Sequence, residues 1–149
     1  MGAFLFAQAS LPLLLNSVGS TDLPPTLIFT GATASVKANT WLQPFNVPKH
    51  ALRGHAKALH DEFAPQGVHV AHVIVDGVIR MPLTWWLKPL SSWDAKLDPD
   101  AVSHLSFTNI IMLTIPDRRE LLESSHPALT TLYIRDSHPP TLREMVKHT

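Results

Sequence analysis

The sequence predicts an α/β fold on three observations. Residues 68–75 (VHVAHVIV) are a β-branched run bounded by Gly67 and by Asp76-Gly77, which marks a strand. Residues 26–30 (TLIFT) form a shorter apolar run ending at Gly31, the pattern of a buried strand. Between them, residues 45–63 carry an apolar stripe at Leu52, Ala56, Leu59 and Phe63, spaced four, three and four as a helix requires. Strand, helix, strand in that order is a βαβ unit, whose two strands run parallel through a right-handed crossover.

Each remaining element has its own signal. Residues 2–17 read as a helix, with Phe4, Ala7, Leu11 and Leu14 at helical spacing and Phe6, Leu13 and Leu15 adding apolar surface on other sides. A helix apolar on most sides is buried or shared with a partner. The same stretch, residues 3–15, invites a leader-peptide reading, but no Lys or Arg precedes it. It is also too short, and too interrupted by Pro12, to span a bilayer. Residues 16–25 are a polar linker, and residues 31–44 read as a loop. Pro48 falls in the first turn of the predicted central helix, where proline is tolerated, and Pro65-Gln66-Gly67 ends that helix.

Beyond residue 81 the pattern loosens. Residues 81–97 hold Trp85, Trp86 and Trp93 with little periodicity. Asp98-Pro99-Asp100 is a helix-start signal. Residues 107–115 are apolar and ambiguous, and Asp117 is expected to cap a short helix through Glu123. Residues 132–134 suggest a strand, which residues 130–135 extend more weakly, and residues 142–147 a last helical turn or two. No internal repeat is visible.

Composition bounds the function. The chain has 149 residues, enough for one domain that buries roughly 70% of its unfolded surface. Twelve basic and twelve acidic side chains cancel, so the basic excess of a nucleic-acid binder is missing. With no cysteine there is no disulfide framework, thiolate metal site or cysteine nucleophile. Nine histidines raise a metal site, but no ligand spacing fits. His50, His55 and His60 step about 140° apart around a helix, and His69 and His72 fall on opposite faces of a strand. Asp61-Glu62 reads as a solvated helix face.

The stretches GAFLFAQASLPLLL, LIFTGATAS and PFNVPKHALRGHAKALHDEFAPQGVHVAHVIVDGVI, together with the run Lys49, Ala51, Leu52, Arg53 and Gly54, resemble the short-chain dehydrogenase/reductase family. The match runs from Gly2 to about Met81 and continues faintly through residues 97–103 (LDPDAVS). The order of elements is that of the family's later half. The resemblance implies a partial, truncated Rossmann-like fold with few parallel strands and flanking helices. Residues 1–82 would be the later half of that domain, and residues 83–149 a divergent C-terminal segment. The family moves hydride between NAD(P) and a carbonyl or alcohol. It uses a tyrosine as general acid/base and a lysine one helical turn later that lowers the tyrosine pKa and binds the nicotinamide ribose.

Checked position by position, the family chemistry is incomplete. Lys49 matches the lysine, but Phe45 stands where the tyrosine belongs, and a phenyl ring holds no transferable proton. The one tyrosine, Tyr133, is followed four residues later by Ser137 rather than lysine. Ala32 occupies the position of the substrate-holding serine, with Thr33 and Ser35 nearby as shifted hydroxyls. The family asparagine of the preceding helix has no counterpart. The Pro-Gly turn after the later strand reads Asp76-Gly77, and Met81 replaces the threonine that would meet the coenzyme carboxamide. Six glycines lie at least ten residues apart, so no glycine-rich pyrophosphate loop is present. By resemblance, Lys49, Asp76 and Gly77 are the coenzyme-contacting candidates, and Lys49 is also the retained catalytic lysine; a family relic or a solvated helix residue is the competing account of Lys49.

The expectation is a truncated, cytoplasmic relative of an NAD(P)-dependent oxidoreductase without independent hydride transfer. Alternatives are a non-catalytic subunit pairing with a full-length relative, a cofactor-independent lyase, isomerase or cyclase using Lys49 or His50, and an incomplete gene product with an exposed, aggregation-prone strand edge. A homo- or hetero-oligomer, in the family a dimer, would form through residues 2–17 and 45–63, with Phe4, Phe6, Leu11, Leu52 and Leu59 supplying apolar surface. Trp85, Trp86 and Trp93 would line a substrate pocket or fill a core left open.

Overall fold

The computed structural model describes residues 1–38, 40–80, 97–100, 102–103 and 130–134, the last five through their backbone. Its elements run α1 (Gly2–Asn16), β1 (Thr26–Ala32), α2 (Gln43–Phe63), β2 (His69–Val75) and β3 (Thr130–Ile134). The expected α/β unit is there. β1 and β2 pair in parallel from Thr26 opposite His69 to Ala32 opposite Val75. β3 pairs in parallel with the other side of β2, giving the order β1-β2-β3. A strand from the weakly patterned tail thus joins the same sheet, starting at Thr130 as the broader reading of residues 130–135 has it.

The helices cover one face of the sheet. Leu27 and Phe29 of β1 and Val70 of β2, with Val68 just before it, form the core with Ala7 and Leu11 of α1 and Ala56 and Leu59 of α2. Leu52 and Phe63 pack against it, so the predicted stripe of α2 points at the sheet. β2 is buried at every position but His69, as expected for a central strand with both faces covered. β1 alternates, with Ile28 and Thr30 exposed on the face away from the helices.

Several boundaries differ from the sequence reading, and β1 runs on through Gly31 to Ala32. α2 begins at Gln43, with Pro44 at the second helical position, where the absent N–H is not missed. Pro48 is therefore inside the helix rather than in its first turn. The segment before α2 is not all loop: residues Thr33–Ser35 and Thr40–Leu42 are short 3-10 turns. The stop after α2 is as read. Gly67 takes a left-handed φ of 87°, its N–H donates to the Ala64 carbonyl, and the Val68 N–H donates to the Phe63 carbonyl, a Schellman closure. The predicted start at Asp98 also holds, with Val102 N–H on the Asp98 carbonyl and residues 99–100 and 102–103 helical. The tryptophans at 85, 86 and 93, and the elements expected over 107–115, 117–123 and 142–147, lie outside the described residues.

One internal fit is unusually tight. A Cβ on Gly31 would sit 2.4 Å from Cε1 and Nε2 of His72, two atoms of one imidazole. His72 is completely buried, and neither ring nitrogen has a hydrogen-bond partner among the described residues. Burial, and then the nearby charges of Arg53 and Lys49, depress its pKa from 6.5 to about 4.

Gly31→Ala is therefore expected to destabilise the protein by about 1–3 kcal/mol through overpacking, read as a lower denaturation midpoint. His72→Ala in the same chain should return part of that loss. Because the folded pKa of His72 lies below its ordinary value, the unfolded chain binds the extra proton first as pH falls. Stability held above pH 6.5 should decline toward pH 4. Thermal melts across that range should show the decline in the native chain and a flatter profile in His72→Phe, which keeps a ring without ionisable nitrogens.

Candidate functional site

In open α/β sheets, ligands meet the protein beyond the carboxyl ends of the strands. Here β1 and β2 end level with one another, Ala32 opposite Val75. Three segments gather past that line: the turn Thr33–Ser35, residues 76–77, and the first turns of α2. Every residue singled out from the sequence as a coenzyme candidate lies at this end.

Lys49 projects from the second turn of α2 back to the strand. Its Nζ donates to the Thr30 carbonyl at 2.8 Å and stands 5.7 Å from the centre of the Phe45 ring, one helical turn earlier. Partial burial lowers the pKa of the amine. The lysine and the residue in the tyrosine position are thus neighbours, but the ring offers only a π face. A lysine that would polarise a phenol is instead shared between an aromatic face and a backbone carbonyl.

The hydroxyls follow from the turn geometry. Ser35 is buried, and its Oγ accepts from the Ala32 N–H at 3.1 Å, which turns the side chain onto its own turn. Thr33 Oγ1 instead donates to Asp76 Oδ1 at 2.5 Å, joining the segments that follow β1 and β2. Asp76 therefore has a partner forty-three residues earlier in the chain, which no local pattern announces. Gly77 is exposed, but a Cβ there would come within 3.0 Å of the Leu97 side chain. Leu97 is held in place by its N–H on the Val78 carbonyl and by the Arg80 N–H on its own carbonyl.

A nicotinamide dinucleotide is only partly matched. Lys49 sits where the resemblance places a ribose contact, while Asp76 is tied to Thr33 and the space above Gly77 is narrowed by Leu97. No pair of closely spaced glycines exists to admit a pyrophosphate. These residues do not by themselves fit the whole coenzyme.

The histidines go to separate surroundings. His50 is exposed, with Nδ1 3.0 Å from the Asn46 carbonyl. His55 lies between the rings of Phe4 and Phe29, and His60 is buried. Among the described residues no three His, Asp or Glu side chains gather as a metal site. Asp61 pairs with Lys57 at 2.5 Å on an exposed helix face. Sequence reasoning missed the placement of His72 beneath α2 and beside Arg53 and Lys49; a glycine inside β1 was the available signal, since such glycines mark close approach.

The offered oligomer surface divides. Leu11 and Leu59 are buried in the chain's own core and Leu52 packs against it, so these three serve the fold. Phe4 and Phe6 are exposed, with Leu5 and Leu13 alongside. Among the described residues no helix is long and apolar enough to cross a membrane.

No family model matches the sequence, and no curated protein matches it. Solved structures do. A gluconate 5-dehydrogenase from Burkholderia cenocepacia J2315, in complex with NADP and tartrate, aligns over 89% of this chain and 50% of its own, with 14% identity and a TM-score of 0.61. A 4-hydroxyisoleucine dehydrogenase complexed with NADH aligns over 88% of this chain and 52% of its own, with 19% identity and a TM-score of 0.56. A short-chain dehydrogenase from Rhodopseudomonas palustris aligns over 64% of this chain and 43% of its own, with 28% identity and a TM-score of 0.43. The chain spans about half the length of the dehydrogenases it matches. Its fold is the Rossmann-like α/β fold of the gluconate and 4-hydroxyisoleucine dehydrogenases.

Proposed function

We propose that this chain descends from an NAD(P)-dependent oxidoreductase of carbonyls or alcohols and that its 149 residues do not transfer hydride on their own. One observation carries this: Phe45 stands one helical turn before Lys49, and the Lys49 amine rests on the Thr30 carbonyl and the Phe45 ring. General acid/base work at a carbonyl needs a group that gives and takes a proton within hydrogen-bond reach. Phenylalanine has none, and Ser35 is turned onto Ala32. When bound, a nicotinamide coenzyme would supply the hydride. The residues of this chain offer Lys49 as a ribose contact but no cradle for the phosphates.

A pairing role has its own support. Phe4, Leu5, Phe6 and Leu13 leave much of α1 apolar and exposed, at 55%, 56%, 61% and 70%. Such a patch marks an interaction surface. In this account the chain associates through α1 with a full-length relative of the same fold or with itself. A cofactor-independent lyase, isomerase or cyclase has less to rest on, because His50 sits exposed on α2 rather than beside Lys49's contact.

NADPH and NADH fluorescence titrations of the purified chain should show no saturable binding, and a panel of ketones and alcohols no turnover. Saturable binding with turnover of any member overturns the proposal. Phe45→Tyr restores the phenol before Lys49 and is still expected to give no turnover, because the pyrophosphate cradle stays missing. Co-expression with a full-length short-chain dehydrogenase should yield a mixed oligomer on size-exclusion chromatography. Phe6→Glu with Leu13→Glu should abolish it, and a mixed oligomer that survives both changes removes α1 as the contact.

A further inference from the structure

β1 ends the described sheet, and its backbone reveals which groups face outward. The His69 N–H donates to the Pro25 carbonyl at 2.9 Å. In a parallel ladder alternate residues bond to one neighbour, so 25, 27, 29 and 31 turn their groups to β2. Thr26, Ile28, Thr30 and Ala32 turn theirs to the outer edge. An edge of this kind is a template for another strand, and proteins blunt it with lysines or covering groups. Two of the outward groups already have such partners. The Thr30 carbonyl accepts from Lys49 Nζ, and the Ala32 N–H donates to Ser35 Oγ. Both partners come from the segment that follows β1, so the strand's own continuation returns to close it. Ser35 is 1% exposed, which fixes its hydroxyl. The Phe45 ring supports the lysine from the side. Among the described residues the first half of the edge has no such guard, and Ile28 there is 40% exposed.

We propose that Lys49 and Ser35 form an edge guard that keeps β1 from adding a strand of a second copy of this chain. The guard breaks the row of outward groups midway. What remains, at Thr26 and Ile28, is shorter than an ordinary strand pairing. The guard works whether or not the chain binds a coenzyme, and it gives the lysine a purpose in a site without the tyrosine.

Sedimentation velocity across a concentration series tests this, with circular dichroism checking that each variant folds. Lys49→Met should tighten self-association by about tenfold, the factor matching one charge-assisted hydrogen bond. Lys49→Arg should behave as the native chain. Adding Ile28→Lys, which puts a charge on the edge strand, should reverse the effect of Lys49→Met. Ser35→Ala should tighten association to a smaller degree, and it decides the matter alone if Lys49→Met fails to fold. Unchanged association in the folded variants overturns the proposal, including the case in which another part of the chain already covers β1. So does association in Lys49→Met that Ile28→Lys leaves intact.

Discussion

The contact on which the rest of the arrangement leans is the imidazole of His72 lying against Gly31. It fits because Gly31 has no Cβ, and an added methyl would fall 2.4 Å from the ring. The consequence is geometric before it is energetic. With the ring against β1, α2 can lie close over the strand ends, and Lys49 reaches the Thr30 carbonyl. It is also electrostatic. A buried imidazole with no hydrogen-bond partner among the described residues stays neutral near Arg53 and Lys49, and those cations reinforce its neutrality. Replacing such a group by an apolar ring of the same shape can be neutral or stabilising.

The parts of the fold that the sequence disclosed are those governed by short-range periodicity. The β-branched residues Val70, Val73, Ile74 and Val75 announce β2, and the spacing of Leu52, Ala56, Leu59 and Phe63 announces α2. Gly67 announces its own stop because only a left-handed residue closes the helix there. What stayed hidden depends on contacts across the chain. Residues 130–134 carry only a weak strand signal, and nothing local says that they pair in parallel with β2. Leu11 and Leu59 look equally suited to an inner core or an outer partner until the sheet is placed. At the site, the loss of the tyrosine was legible as Phe45 before Lys49. The tie between Thr33 and Asp76 was not, because it depends on two strands ending level.

The site and the edge of the sheet are two aspects of one place. In a dehydrogenase-like arrangement the lysine after β1 would face a coenzyme. In this chain it also meets the backbone of an end strand, with Phe45 beneath it. Charge, aromatic face and carbonyl satisfy one another there without a ligand. A similar self-satisfaction holds Ser35 to Ala32 and Thr33 to Asp76. Polar groups that could have received a substrate are largely committed to the protein's own backbone and side chains.

The short bridge between Ile79 and Leu97 has a further bearing. Together with the Arg80–Asp98 ion pair at 3.3 Å, it brings the chain back to the spot it left. Residues 79–80 and 97–98 are therefore pinned to one another at one place. The clasp holds Leu97 over Gly77, so the chain just past β2 is buttressed by a residue twenty positions further on, and loosening Arg80 from Asp98 would act at the strand end as well as at the surface.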